Sequence, residues 1–134
     1  MSLHVSPHPL AERFSGELIT PDHPSYDAAR RVWNGMIDRR PSVIVRCRNT
    51  DDVRAALGFA RARELPVSIR GGAHNVAGHA VCDDGVMIDL SLMRSVRVDP
   101  ERRRARVEGG ATWGDVDRET QVFGLATPGG LISD

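Results

Sequence analysis

The chain contains no lysine, so all 18 of its basic residues are arginine, and 18 acidic residues balance them. Without lysine, neither a lysine Schiff base nor the phosphate-binding lysine of a Walker-type loop can form. The formal net charge of +0 gives no reason to expect attraction to nucleic acid or to an acidic membrane surface. We therefore expect neither nucleic acid nor a membrane as a partner.

Cysteines and long apolar runs are also scarce. Cys47 and Cys82 lie far apart in sequence and lack the dense pattern of a secreted disulfide scaffold, so we expect two free thiols. Residues 1–10 lack the basic start and apolar run of a signal peptide, and no apolar stretch reaches the length of a membrane span. A cytoplasmic location is the resulting expectation.

The N-terminal third of the chain carries few structural signals. Residues 1–24 are rich in proline and histidine, and we expect them to form an extended arm ahead of a domain over residues 25–134. Ser25 can cap a first helix. The apolar residues that recur there at helical spacing are Tyr26, Ala29, Trp33 and Met36.

The next segments follow the order strand, helix, strand. Residues 42–46 and 66–70 are short β-branched runs, and between them Asn49 or Thr50 can cap a helix that reaches about Arg63. This order predicts a parallel crossover unit. Its apolar stripe would comprise Val53, Ala56, Leu57 and Ala60.

Three further short strands are expected at residues 85–90, 96–98 and 104–107, as antiparallel neighbours. A last helix would begin after Gly109-Gly110-Ala111, with Thr112 and Asp115 forming a capping box and Val116, Thr120 and Phe123 facing inward. The fold class is therefore α+β, with a βαβ subdomain followed by the start of a second, mixed or antiparallel subdomain.

The loop that follows the second predicted strand is unusually rich in small residues. It reads Arg70-Gly71-Gly72-Ala73-His74-Asn75-Val76-Ala77-Gly78-His79. Successive backbone amides at the carboxyl end of a strand can bind a pyrophosphate, which is where open α/β sheets place ligands. The loop is not a Rossmann fingerprint, since G-x-G-x-x-G does not occur in the chain. A plain glycine-rich turn without a ligand is the alternative, because Gly-Gly pairs usually mark turns.

His74 directly follows the small residues, and a neutral imidazole is a competent nucleophile, although an ordinary polar loop residue is the alternative. Together with His79, Cys82 and Asp83 it also permits a metal-binding hypothesis. The spacing of these residues matches neither C-x2-C nor H-x3-H, which argues against a zinc site.

Two more small-residue loops could approach a ligand closely. They are Gly109-Gly110-Ala111-Thr112-Trp113-Gly114 and Thr127-Pro128-Gly129-Gly130. Taken singly, the first is also a normal helix start and the second a normal turn.

The order of these motifs resembles the FAD-binding domain of the berberine bridge enzyme-like oxidoreductases, within the vanillyl-alcohol oxidase, or PCMH-type, flavoprotein group. The resemblance covers residues from about 20 to the end. It rests on Pro41 to Val45, Asp51-Asp52-Val53, Pro66 to Asn75, Val86 to Leu90 and Val107 to Asp115. The usual loop of the family is Arg-Ser-Gly-Gly-His, and here it reads Arg70-Gly71-Gly72-Ala73-His74.

The resemblance implies FAD as the cofactor, covalently bonded through its 8α-carbon to His74. Some relatives carry a second bond from a cysteine, but Ile132 occupies the matching position, which implies a single covalent link. The implied FAD-binding residues are Arg70, Gly71, Gly72, Ala73, His74, Asn75, Gly78, His79, Gly109, Gly110, Ala111, Thr127, Pro128, Gly129 and Gly130.

The resemblance also implies a function for the full-length protein: oxidation of a small organic substrate by hydride transfer to FAD. Family members are several times longer, so the chain resembles a truncated N-terminal part without the substrate domain. We expect it to be inactive alone. Two alternatives stay open, namely an FAD-free module that self-associates into homo-oligomers and a metal-binding module.

Overall fold

The computed structural model describes residues 9–130. Its strands are β1 (Glu17–Ile19), β2 (Val43–Arg46), β3 (Val67–Arg70), β4 (Val86–Asp89), β5 (Val96–Asp99) and β6 (Arg104–Val107). Its helices are α1 (Tyr26–Ala29), α2 (Thr50–Ala62) and α3 (Trp113–Gln121). The α+β class predicted from the sequence is confirmed.

The first subdomain is a four-stranded sheet in the order β1-β2-β4-β3. Strands β2 and β3 both run parallel to β4, which confirms the predicted crossover through α2. The prediction that residues 85–90 are an antiparallel neighbour of the later strands was wrong, because β4 lies between β2 and β3. All four residues of β4 are buried, as expected for a central parallel strand.

Apolar residues cover both faces of this sheet. One face packs against α2 through a core that includes Val43, Val45, Ile88 and Ala56. The amphipathic α2 is capped by Asn49, one of the two capping residues predicted, whose side chain accepts a hydrogen bond from the Asp52 amide. The opposite face is buried by a second cluster: Ile19, Tyr26, Ala29, Ile44, Val81 and Met87.

The second subdomain begins with an antiparallel hairpin of β5 and β6, against which α3 packs. The predicted capping box of α3 is present: Thr112 accepts from the Asp115 amide, and the Asp115 carboxylate accepts from the Thr112 amide. Val116 and Thr120 are buried as expected, but Phe123 lies beyond the helix and is half exposed.

The first helix is much shorter than the sequence predicted, because the chain leaves the helix after Ala29. The amide of Trp33, which would bond to Ala29 in a continued helix, donates instead to the carbonyl of Ala73 at 3.0 Å. The Ala29 carbonyl accepts from the Arg70 side chain. Trp33 and Met36 are consequently 71% and 89% exposed rather than part of a helix face, and the Ser25 side chain makes no capping bond.

The predicted arm is also more ordered than expected over residues 9–24. Residues 17–19 form β1, which pairs antiparallel with β2. Just before it, the amide and hydroxyl of Ser15 both donate to the carboxylate of Asp52, which is only 2% exposed. A buried carboxylate needs such donors, so Asp52 anchors this segment to α2.

Both cysteines are free thiols, as predicted. Cys47 is fully buried, and burial raises its pKa to about 12. Among residues 9–130, no helix combines the length and the apolar character needed to cross a membrane.

Candidate cofactor-binding site

The small-residue loop begins where β3 ends, at the carboxyl edge of the parallel sheet. Within residues 9–130, the backbone amides of Gly71, Gly72 and Ala73 donate to no protein acceptor. Ala73 has a φ of +62°, a left-handed conformation that is costly for a residue with a Cβ. Successive amides around a left-handed residue form the concave nest that binds anions.

The imidazole of His74 lies against Gly72. A Cβ at position 72 would come within 2.8 Å of His74 Cδ2 and 3.3 Å of Nε2, so this ring position requires glycine there. Nδ1 of His74 is buried, and the ring centroid lies 5.2 Å from that of the Trp33 indole. His74 is thus held at a defined place beside the amides of the loop.

The second small-residue loop contacts both of the others. A Cβ on Gly71 would lie 2.8 Å from the Gly109 carbonyl oxygen, so the first and second loops meet at two glycines. The third loop packs on the first residue of α3, since a Cβ on Gly129 would lie 2.5 Å from the Trp113 ring. Close approach of backbone is what an extended dinucleotide cofactor needs.

Several residues assigned to the site by resemblance also hold the loop together. The Arg70 side chain donates to the carbonyl oxygens of Ala29, at 3.0 Å, and Arg31. The Asn75 side chain accepts from the amide of His79 at 3.0 Å, which closes a short turn. The side chains of Arg70 and Asn75 therefore shape the loop. His79 contributes its backbone amide to the turn and is an exposed residue.

In the second loop, Gly110 is packed too closely for any side chain, because a Cβ would lie 1.8 Å from the Leu90 carbonyl oxygen. Its amide donates to Met93 at 3.0 Å, and the amide of Ala111 donates to Glu108 at 3.1 Å. Two of the amides expected to bind the cofactor are thus already used within the chain, and Gly109 is the residue of this loop that meets Gly71.

The third loop is exposed over residues 127–130. Thr127 Oγ1 donates to the Pro128 carbonyl oxygen at 3.3 Å. The position of Ile132, from which a single covalent link was inferred, lies outside the described residues.

Asp115 holds the start of α3 beside these loops. Its carboxylate accepts from Arg94 Nε at 2.8 Å and from Arg94 Nη2 at 2.9 Å, a bidentate pair. The hydrogen bond from the Thr112 amide has the largest effect on the pKa of Asp115 and the bonds from Arg94 a smaller one, and together they lower this pKa to about 2. The sequence predicted the cap but not Arg94, because residues 94 and 115 are distant in the chain.

Residues 29–40 run beside the loop of residues 70–81, and their place at the site was not predicted from the sequence. Trp33 and Asn34 bond to this loop on either side of His74. Nothing in the local pattern identified them, since their contacts connect residues about forty positions apart.

The metal-binding hypothesis finds no geometric support in the described part of the chain. No group of three or more His, Cys, Asp or Glu side chains there lies close enough together to hold a metal ion.

Comparison with known proteins gives consistent matches. The family described as FAD binding domain matches residues 41–133. The chain is 40% identical over 116 residues to (R)-6-hydroxynicotine oxidase of Paenarthrobacter nicotinovorans, covering 87% of this chain and 25% of that protein. It is 36% identical over 122 residues to the uncharacterized FAD-linked oxidoreductase YgaK of Bacillus subtilis, covering 91% and 27%.

Solved structures agree. The crystal structure of 6-hydroxy-D-nicotine oxidase from Arthrobacter nicotinovorans superposes with a TM-score of 0.83 at 40% identity, covering 90% of this chain and 26% of that one. The flavoenzyme CrmK of caerulomycin biosynthesis gives a TM-score of 0.78 at 31% identity, covering 86% and 24%. The chain therefore spans about a quarter of the length of the relatives it matches.

Proposed function

Because this chain belongs to the berberine bridge enzyme-like group of FAD-linked oxidoreductases, whose FAD binding domain it matches over residues 41–133, we propose that it binds FAD within a longer oxidoreductase. When bound, FAD would accept a hydride from a small organic substrate, as flavins do in such enzymes. The part of the work that falls to these residues is to bind and orient the cofactor.

The observation that carries this proposal is the set of backbone amides at Gly71, Gly72 and Ala73, which donate to no protein acceptor within residues 9–130. Backbone donors that lack a protein acceptor and sit at the end of a parallel strand suit the pyrophosphate of a dinucleotide. The close approach of Gly71 to Gly109 leaves backbone rather than side chains around that position.

His74 is the proposed tether. A ring nitrogen of His74 would bond to the 8α-carbon of the flavin, while the imidazole N–H proton and one proton of the 8α-methyl group leave. The attachment would balance as the loss of two hydrogens, one from the imidazole and one from the 8α-methyl group, with dioxygen taking both and becoming hydrogen peroxide. His74 would thereby be alkylated and would hold the cofactor permanently.

The test uses the intact protein, purified without added FAD. We expect yellow protein that keeps its flavin fluorescence after acid precipitation and on a denaturing gel. His74→Ala should lose the fluorescent band and retain at most dissociable FAD, whereas Met36→Ala, which alters a side chain 89% exposed, should keep it. A colourless protein, or equal covalent flavin in His74→Ala, would contradict the proposal.

The edge of the first sheet favours a second candidate function, self-association of the chain without FAD. Strand β3 is one of the two outer strands of this sheet, and its side chains Val67 and Ile69 are 39% and 58% exposed. An outer strand with apolar side chains can pair with a second copy of itself.

Gel filtration separates the two candidates. A colourless dimer that becomes monomeric in Ile69→Arg supports self-association, and a yellow monomer contradicts it. Because Ile69 precedes the loop without belonging to the amide nest, Ile69→Arg leaves the proposed FAD contacts in place.

A further inference from the structure

The chain segment of residues 29–40, here the bracing segment, lies alongside the loop of residues 70–81 that carries His74. Hydrogen bonds join the two in matching order along the chain. Arg70 donates to Ala29 at the start, and Arg39 Nη1 donates to the carbonyl oxygens of Gly78 and Val81, each at 3.1 Å, at the end. Both ends of the loop are therefore fixed by arginine side chains.

His74 is bracketed by two consecutive residues of the bracing segment. The Trp33 amide donates to the Ala73 carbonyl at 3.0 Å, and Asn34 Nδ2 donates to the Val76 carbonyl at 2.8 Å. The first bond holds the residue before His74, and that residue is the one with the left-handed φ of +62°. A strained conformation persists only where surrounding contacts hold it, and this bond is such a contact.

The Trp33 side chain also contacts the imidazole itself. The two ring centroids are 5.2 Å apart with an interplanar angle of 42°, a separation within the favourable range for aromatic pairs. Yet the indole is 71% exposed, so it adds little to the core. Its ring contact is with the imidazole of His74, so replacing the indole changes the surroundings of that imidazole more than it changes the core.

We propose that Trp33 is a positioning residue that fixes the imidazole of His74 in the orientation required for bonding to the flavin. This inference rests on the proposed function, because it needs His74 to be the attachment site. Rotation of the imidazole away from Gly72 would move the nucleophilic nitrogen from its place, and a displacement of about 1 Å can slow a reaction roughly a hundredfold. Trp33 would act on the rate of attachment and not on the affinity for FAD.

The experiment follows bond formation directly. The intact apoprotein, produced under riboflavin limitation, is mixed with saturating FAD, and the fluorescence retained after denaturation is measured over time. We expect Trp33→Ala to slow attachment roughly ten- to a hundredfold, with total bound FAD and melting temperature unchanged. Trp33→Phe, which keeps an aromatic ring, should restore most of the rate.

Met36→Ala is the matched control, since Met36 lies in the same segment and is even more exposed, at 89%. It should attach FAD at the wild-type rate. Should Trp33→Ala fold poorly, Trp33→Leu keeps the apolar bulk without the ring. We expect it to slow attachment in the same way.

Wild-type attachment in Trp33→Ala and Trp33→Leu would overturn this inference and leave the tether at His74 intact. No covalent flavin in the wild-type protein would overturn the proposed tether and this inference with it.

Discussion

Replacing Asp115 by asparagine removes one charge from the start of α3 and leaves the shape of the side chain unchanged. The carboxylate is 10% exposed, accepts from the Thr112 amide at 2.9 Å and forms the bidentate pair with Arg94. An asparagine oxygen can still accept from Thr112, so the substitution mainly tests the charge-assisted part of these bonds.

The free-energy cost of this substitution follows from the lowered pKa of Asp115. A fall in the pKa from the ordinary 3.8 to about 2 corresponds to about 2 kcal/mol, at roughly 1.36 kcal/mol per pKa unit. Because the Arg94 side chain is 52% exposed, screening by water and salt reduces this, and we expect Asp115→Asn to cost about 1–2 kcal/mol at neutral pH.

The lowered pKa of Asp115 also determines how its contribution to stability changes with pH. A carboxyl whose folded pKa is lower than its unfolded pKa stabilises the protein fully above about pH 4, and this stabilisation is lost as pH falls towards about 2. The advantage of the wild type over Asp115→Asn should therefore shrink over that interval.

Urea denaturation at several pH values measures both the stability difference at neutral pH and its change with pH. Asp117→Asn is the control, since Asp117 is an exposed residue of the same helix with no ion pair among residues 9–130. Equal stability of wild type and Asp115→Asn at pH 7, or a difference that stays constant down to about pH 2, would show that the charge of Asp115 does not stabilise the fold.

Three other predictions concern single positions. Gly58 lies inside α2 with open space around it, so Gly58→Ala should raise the unfolding free energy by about 0.5–1 kcal/mol in thermal or urea denaturation; a loss of stability would contradict this. Gly72→Ala should displace the His74 imidazole and reduce covalent flavin about tenfold or more, measured by gel fluorescence with Gly58→Ala as the control; normal flavin content would show that the ring does not need this space. A thiol reagent should label Cys82 in the native protein and Cys47 only after unfolding, because burial raises the pKa of Cys47 to about 12; mass analysis showing native labelling of Cys47 would contradict its burial.

Local signals in the sequence predicted the elements that depend on local physics. Short β-branched runs sufficed for β2 and β3, and an apolar stripe with a cap at Asn49 or Thr50 sufficed for α2. Thr112 with Asp115 sufficed for the start of α3. These features need only side chains a few residues apart.

What the sequence could not predict depends on pairing between distant segments. The position of β4 between β2 and β3 is a matter of sheet order, which hydrophobic pattern does not encode. The early end of α1 has the same origin, since the Trp33 amide donates to Ala73, forty residues away in the chain, and not within its own helix. The role of the bracing segment could not be predicted, because its contacts also connect distant residues. The glycines and His74 of the loop could be identified, because they form one continuous motif in the sequence.

The most direct test of the FAD tether is the mass of the intact protein, measured under denaturing conditions and followed by cleavage after arginine. A tether at His74 should increase the mass by one FAD less two hydrogens, located on the peptide of residues 71–94 and assigned to His74 by fragmentation. An unmodified mass, or the same increase located on any other residue, would contradict it.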